Sequence, residues 1–182
     1  MSVPAPILFE PSNPQHVGLL PAFADIHIAC IETDHTIATF TPPLKRDVII
    51  DYWKERVAEI VAGKRTIVMI LANDDEGKEQ LAGYVALYRP LTETGPFRGS
   101  VEKLLVSPSF RRRGIAKKLM EKLEVEAKIH GQTLLLLDTE TGSPAEIVYP
   151  KLGYNRLGVV PEYGVSPVDG SLIAGTFFWK QL

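Results

Sequence analysis

The residues of this chain best placed to do chemistry stand at 111–117, where Arg111, Arg112 and Arg113 precede Gly114, Ile115, Ala116 and Lys117. They follow a strand-like run and open a helix-like one. At such a helix start the backbone N–H groups lack partners and sit at the positive end of the helix dipole, so they can hold a phosphate or pyrophosphate. The arginines and Lys117 add charge, and Gly114 lets the backbone approach closely. Three arginines fall short of the longer basic runs of targeting or nucleic-acid patches, so phosphate binding is the better reading. Asp138 ends an apolar run at 133–137, and α/β folds place ligand sites at such strand ends. His16, His27 and His130 show no spacing with Cys30 or with carboxylates that suggests a metal site.

The surrounding pattern supplies elements to position these groups. A short strand is expected at 7–10, closed by the turn at Pro11–Pro14, and then a helix at 14–31 bent or broken by Gly18 and Pro21. The polar stretch 32–36 reads as a loop. Ile49, Trp53, Val57 and Ile60 recur at helical spacing within 45–62, with Gly63 as the residue beyond the helix end and Trp53 in the core. Strands at 65–72 and 81–88 form a hairpin across a polar connection, and a third strand spans 100–106. Ala116, Leu119, Leu123 and Ala127 mark a second amphipathic helix up to Gly131, and 133–137 suits a strand buried on both faces. Ser143, Pro144 and Glu146 read as N-cap, first helical residue and capping-box partner. Pro150 should kink or end the helix that they start. Strands near Val159 and at 174–180 finish the chain.

With 182 residues, 45% of them hydrophobic, the chain suits one compact domain over 1–182. Its net charge of −2 with interspersed signs argues against a nucleic-acid surface. One cysteine fits a reducing compartment. Neither signal peptide nor membrane-spanning run is visible, so a soluble cytoplasmic protein is expected.

Arg111-x-x-Gly114-x-Ala116 resembles the acetyl-CoA signature of the GNAT acetyltransferase superfamily, and Ala145, Tyr149, Gly153 and Tyr154 resemble a later block of the same family. A closer likeness is to the tabtoxin-resistance acetyltransferases. It runs through Glu102, Leu104 and Val106, through Leu137, Asp138, Thr139, Glu140, Gly142 and Ser143, and through Pro161, Tyr163, Pro167, Gly170 and Leu172. Glu32, Thr33, His35 and Trp53 extend it toward the N-terminus. The resemblance implies an α/β GNAT fold with a central mixed, mostly antiparallel sheet of about six to seven strands flanked by about four helices. Two of those strands would splay apart around the pantetheine arm of acetyl-CoA. That cosubstrate would be bound by the backbone of Leu104, Leu105 and Val106, by residues 111–117, and by Ser143 and Lys151. Gly142 stands where many members carry an asparagine, and Ser143 is its nearest substitute.

The resemblance further implies transfer of an acetyl group to the amine of a small, amino-acid-like molecule, with Glu32, Asp34 and His35 toward the acceptor. Such a reaction needs a base for the ammonium and a proton for the departing thiolate. Glu102 and Asp138, on strands that the fold would make neighbours, are the candidate bases, and Tyr149 is the candidate acid. A protein N-terminal acetyltransferase and a non-catalytic acyl-CoA-binding module remain as alternatives. No metal, nucleic acid or membrane partner is expected, and a homodimer is compatible with the sequence.

Overall fold

The computed structural model describes residues 3–182. Its strands are β1 (Ile7–Leu8), β2 (Arg65–Asn73), β3 (Glu79–Tyr88), β4 (Arg98–Val106), β5 (Leu134–Glu140), β6 (Asn155–Val165) and β7 (Leu172–Gln181). They form one seven-stranded sheet in the order β1-β2-β3-β4-β5-β7-β6. Every neighbouring pair is antiparallel except β4 and β5, which run parallel. This is the α/β GNAT fold that the sequence implied.

Helices α1 (Pro14–Val17), α2 (Leu20–Asp34) and α3 (Arg46–Val61) precede β2, while α4 (Ile115–Ile129) and α5 (Pro144–Lys151) flank β5. Alternation along the strands gives the sheet two apolar faces. Ile67, Met69 and Leu105 pack with Phe23, Ile49 and fully buried Trp53 from α2 and α3. Val68, Ile70, Leu135 and Leu137 pack with Leu119 and Leu123 of α4 and Tyr149 of α5.

Several expectations are corrected. The first helix breaks at Gly18 as anticipated, but α2 then runs on to Asp34, so Glu32 and Asp34 are helical rather than in a loop. Pro21 lies in the first turn of α2, where its missing N–H costs no helical bond. The first strand is only two residues long. β5 continues past Asp138 to Glu140, and only Leu135 and Leu137 of its apolar run are fully buried, because the α2/α3 cluster does not extend over the face that carries Leu134 and Leu136. Ser143 is the N-cap of α5, yet no capping box forms. Its hydroxyl lies 3.1 Å from Thr139 Oγ1, while Glu146 accepts from the N–H of Gly142 at 2.6 Å and from the Thr176 hydroxyl at 2.8 Å. Those bonds tie the turn to β7. α5 ends one residue after Pro150.

Candidate functional site

β4 and β5 are paired only from Arg98 to Ser100 against Leu134 to Leu136. Gly99 permits the close approach at this shut end, since a Cβ there would lie 2.7 Å from Leu87 and 3.1 Å from Leu135. Beyond it β4 carries a bulge: Ala86 faces Glu102 and Tyr84 faces Leu105, so Lys103 and Leu104 together oppose Val85, with Lys103 at φ 53°. The two strands then part around a cavity of about 430 Å³. The edge of β4 from Glu102 to Val106 therefore has no strand beside it there and offers backbone groups to an extended ligand.

One end of the cavity meets the start of α4. The turn before it is pinned by buried Phe110 and reverses through Arg112 (φ 61°) and Gly114 (φ 82°). Among the described residues no side chain caps this helix, so its first amides are unpartnered, as an anion site requires. Gly114 has open space where a side chain would project. Ala116 lines the cavity, whereas the Ile115 side chain is buried in the core, leaving only its backbone to a ligand.

The basic side chains are less uniform than the sequence suggested. Arg111 faces the cavity but makes a paired contact with Asp34, Nη1 to Oδ1 at 2.7 Å and Nη2 to Oδ2 at 2.6 Å. Its guanidinium thus ties α2 to the turn before α4, and Asp34 is first of all its partner. Arg112 is exposed, Arg113 donates to the Ser109 carbonyl at 3.3 Å, and Lys117 lies 3.8 Å from Glu121. Ser143 lines the cavity, but Lys151, exposed at the far end of α5, does not.

The three residues assigned to proton transfer all line the cavity, from opposite faces of the sheet. Tyr149 comes from the α4/α5 face, packed on Phe178 at 5.6 Å between ring centroids. Asp138 alternates with Leu137 and so lies on the α2/α3 face, as does Glu102, which reaches Arg65 in the next strand but one. Glu102 accepts from Arg65 Nη1 at 2.8 Å, and that guanidinium, 3% exposed, also binds Glu59 at 2.5 Å. Asp138 has no ion-pair partner among the described residues. Water reaches it through the open cavity, yet the surrounding walls strip part of its hydration. That burial pushes its pKa above the ordinary carboxylate value, and the negative charge of Glu102 adds to the rise. A hydrogen bond from Tyr163 and the charge of Lys103 oppose it. Tyr149 is 6% exposed and its hydroxyl has no protein partner among the described residues. Its pKa is raised by burial and then by the charge of Asp138, so the phenol stays protonated.

Glu32 and His35 are exposed and do not line the cavity; His35 terminates α2 in a left-handed conformation. The charge of His35 does reach Glu140, whose pKa burial raises. Sequence reasoning gave no role to Cys30, Lys103, Thr36, Ile37 and Ala38, all of which line the cavity. Burial, with the charge of Asp34, pushes the Cys30 thiol up to about 11, leaving it protonated and unreactive at neutral pH. Tyr163 stands in a stretch that carried the family likeness, but its place beside Asp138 depends on the β6–β7 pairing. Among the described residues no cluster of metal-ligating side chains occurs.

The model of the acetyltransferase (GNAT) family matches residues 29–154. An IAA acetyltransferase of Azospirillum brasilense is 34% identical over 72 residues, 39% of this chain and 47% of that protein. The chain spans about half or less of the curated relatives it matches. Among solved structures, yncA of Salmonella typhimurium with acetyl-CoA superposes with a TM-score of 0.74 at 17% identity, covering 98% of this chain and 93% of that one. A ribosomal-protein-alanine N-acetyltransferase of Brucella melitensis gives 0.72 at 21% identity, covering 91% and 96%. At these identities the structural likeness is one of fold.

Proposed function

Because the chain belongs to the acetyltransferase (GNAT) family, we propose that it transfers the acetyl group of acetyl-CoA to the primary amine of a small molecule. One observation carries this reading: a single cavity joins the uncapped start of α4, the unpaired edge of β4, and the side chains of Asp138 and Tyr149 from the two faces of the sheet. The amides of residues 114–117 take the pyrophosphate, and the β4 edge takes the amide-bearing arm as an added strand would.

The thioester then sits between the two faces. Asp138, on the α2/α3 face, accepts a proton from the acceptor ammonium, directly or through water, and its raised pKa makes it a better base than a solvated carboxylate. The freed nitrogen attacks the carbonyl carbon, an N–C bond forms and the C–S bond breaks, and the second proton of that nitrogen passes to the departing sulfur, which leaves as the thiol. Tyr149, on the opposite face, meets the departing sulfur. Its raised pKa makes full proton release to a thiolate uphill, since an ordinary thiol has a pKa of about 8.5. Tyr149 therefore acts by donating a hydrogen bond to the developing charge. Glu102, held by Arg65, serves as a fixed negative charge that raises the basicity of Asp138 rather than as the base itself.

A small acceptor is supported by the loop between α2 and α3. Ile37 sits against Gly164 of β6, where an added Cβ would come within 2.9 Å of it, so the loop roofs the acceptor side of the cavity. A peptide needs an open groove there. The test is acetyl-CoA consumption against free amino acids, polyamines, simple amines and peptides. Turnover with a free amine and none with peptide N-termini supports the reading; the reverse pattern replaces it with peptide acetylation, and tight coenzyme binding without turnover replaces it with a binding module.

A further inference from the structure

The side chain of Lys103 contacts neither donor nor acceptor in the reaction derived above, yet its setting is unusual. It is the extra residue of the β4 bulge and holds φ 53°, a left-handed conformation that strains any side-chain-bearing residue. Among the described residues it makes no ion pair, although it lines the cavity. The adjacent Leu104 packs against the α4/α5 cluster, so alternation puts Lys103 on the α2/α3 side of the sheet, the side of the proposed base, and its charge lowers the pKa of both Asp138 and His27. The other strong charges around that chamber are spoken for: Glu102 by Arg65 and Asp34 by Arg111. What remains among the described residues is one unpaired ammonium, Lys103, and two carboxylates without an ion-pair partner, Asp138 and Glu140, of which Asp138 is the proposed base. Glu140 lies two residues further along β5, toward His35.

We propose that Lys103 binds a carboxylate of the acceptor, so that the substrate is an amino acid whose ammonium is presented to Asp138 while its carboxyl group is held by Lys103. This rests on the acetyltransferase reading and specifies its acceptor. Lys103 and Asp138 line the same cavity, so an acceptor that carries both an ammonium and a carboxylate, as an amino acid does, can meet both charges. A polyamine would instead set a second cation against Lys103, and a carboxylate-free amine would leave the lysine unanswered in a partly desolvated cavity.

The test compares each of several amino acids with its own carboxamide as acceptor, in the native chain and in Lys103→Gly and Lys103→Arg. Glycine suits φ 53°, so Lys103→Gly keeps the fold, and its melting temperature is expected at or above that of the native chain. The native protein is expected to prefer the acid over the amide in kcat/KM by about tenfold to a hundredfold, as for a charge-assisted hydrogen bond. Lys103→Gly should lose that preference through KM, with the acetyl-CoA KM unmoved, and Lys103→Arg should restore much of it. An unchanged preference in Lys103→Gly overturns the inference while leaving acetyl transfer to amines intact. So does a native enzyme that acetylates only carboxylate-free amines. A native protein that acetylates no amine at all overturns the acetyltransferase reading and this inference with it.

Discussion

His27 links the stability of the acceptor side to pH by an amount that the structure sets. It is fully buried on α2, ringed by Phe40, Tyr52 and Trp53 at 5.4–5.9 Å between ring centroids. Its Nε2 lies 2.6 Å from the carbonyl of Ala38, in the loop that roofs the cavity. Burial lowers its pKa from 6.5 to about 4, outweighing the opposing bond to Ala38, and the charge of Lys103 contributes to the fall. The native state therefore holds the ring neutral while the unfolded chain protonates it first. As pH falls below 6.5 the unfolded state gains protons and stability is lost; near pH 4 the native ring titrates too and the loss levels off. At about 1.4 kcal/mol per pH unit the full loss is about 3 kcal/mol, and about 2 kcal/mol of it falls between pH 7 and pH 5. His27→Gln keeps a donor for Ala38 and removes the titration. Urea unfolding of both proteins at pH 7 and pH 5 should show the native chain losing about 2 kcal/mol more than the variant, with equal m-values. Equal losses in the two proteins would refute the assignment of this pH dependence to His27.

The remaining predictions concern the reaction. Asp138→Asn should lower kcat by about a hundredfold or more with little change in the acetyl-CoA KM. In the native enzyme the rate should fall with decreasing pH along a limb set above the ordinary carboxylate range, because burial raises Asp138, and the limb should vanish in the variant; a surviving limb assigns the base elsewhere. Tyr149→Phe should cost about tenfold to a hundredfold in kcat, the value of one hydrogen bond to the leaving group, and an unaffected kcat removes Tyr149 from the chemistry. Gly114→Ala meets no protein atom, so its stability cost is the strain of φ 82°, about 1 kcal/mol. The added methyl should raise the acetyl-CoA KM severalfold while leaving the acceptor KM unchanged, and steady-state kinetics with each substrate varied separate the two.

The strand, turn and helix start proposed to hold the donor were legible in the sequence because their determinants are local. A strand, a glycine that takes φ 82° and an uncapped helix start lie within some fifteen consecutive residues, and each follows from residue type and spacing. The same held for Trp53 in the core and for Gly63 just beyond α3 at φ 71°. Side-chain destinations were not legible, because they depend on elements far apart in the chain. Arg111 finds Asp34 across 77 positions, and Glu102 finds Arg65 across 37. A motif names those residues without saying that each already has an ion-pair partner. The capping box failed for a similar reason, since Glu146 had a nearer use in joining Gly142 to Thr176 of β7.

These long-range pairs change how the acid–base set works. A carboxylate already bound by Arg65 gains little from taking a proton, whereas burial, with a smaller push from the charge of Glu102, raises the pKa of Asp138. The two carboxylates that look equivalent in sequence therefore take different parts in the proposed reaction, separated by the burial of Asp138 and by the guanidinium that β2 supplies to Glu102. The parting of β4 from β5 performs a comparable division in space. It puts the proposed base on one face of the sheet and the proposed hydrogen-bond donor on the other, so that proton removal from the amine and stabilisation of the departing sulfur do not compete for room.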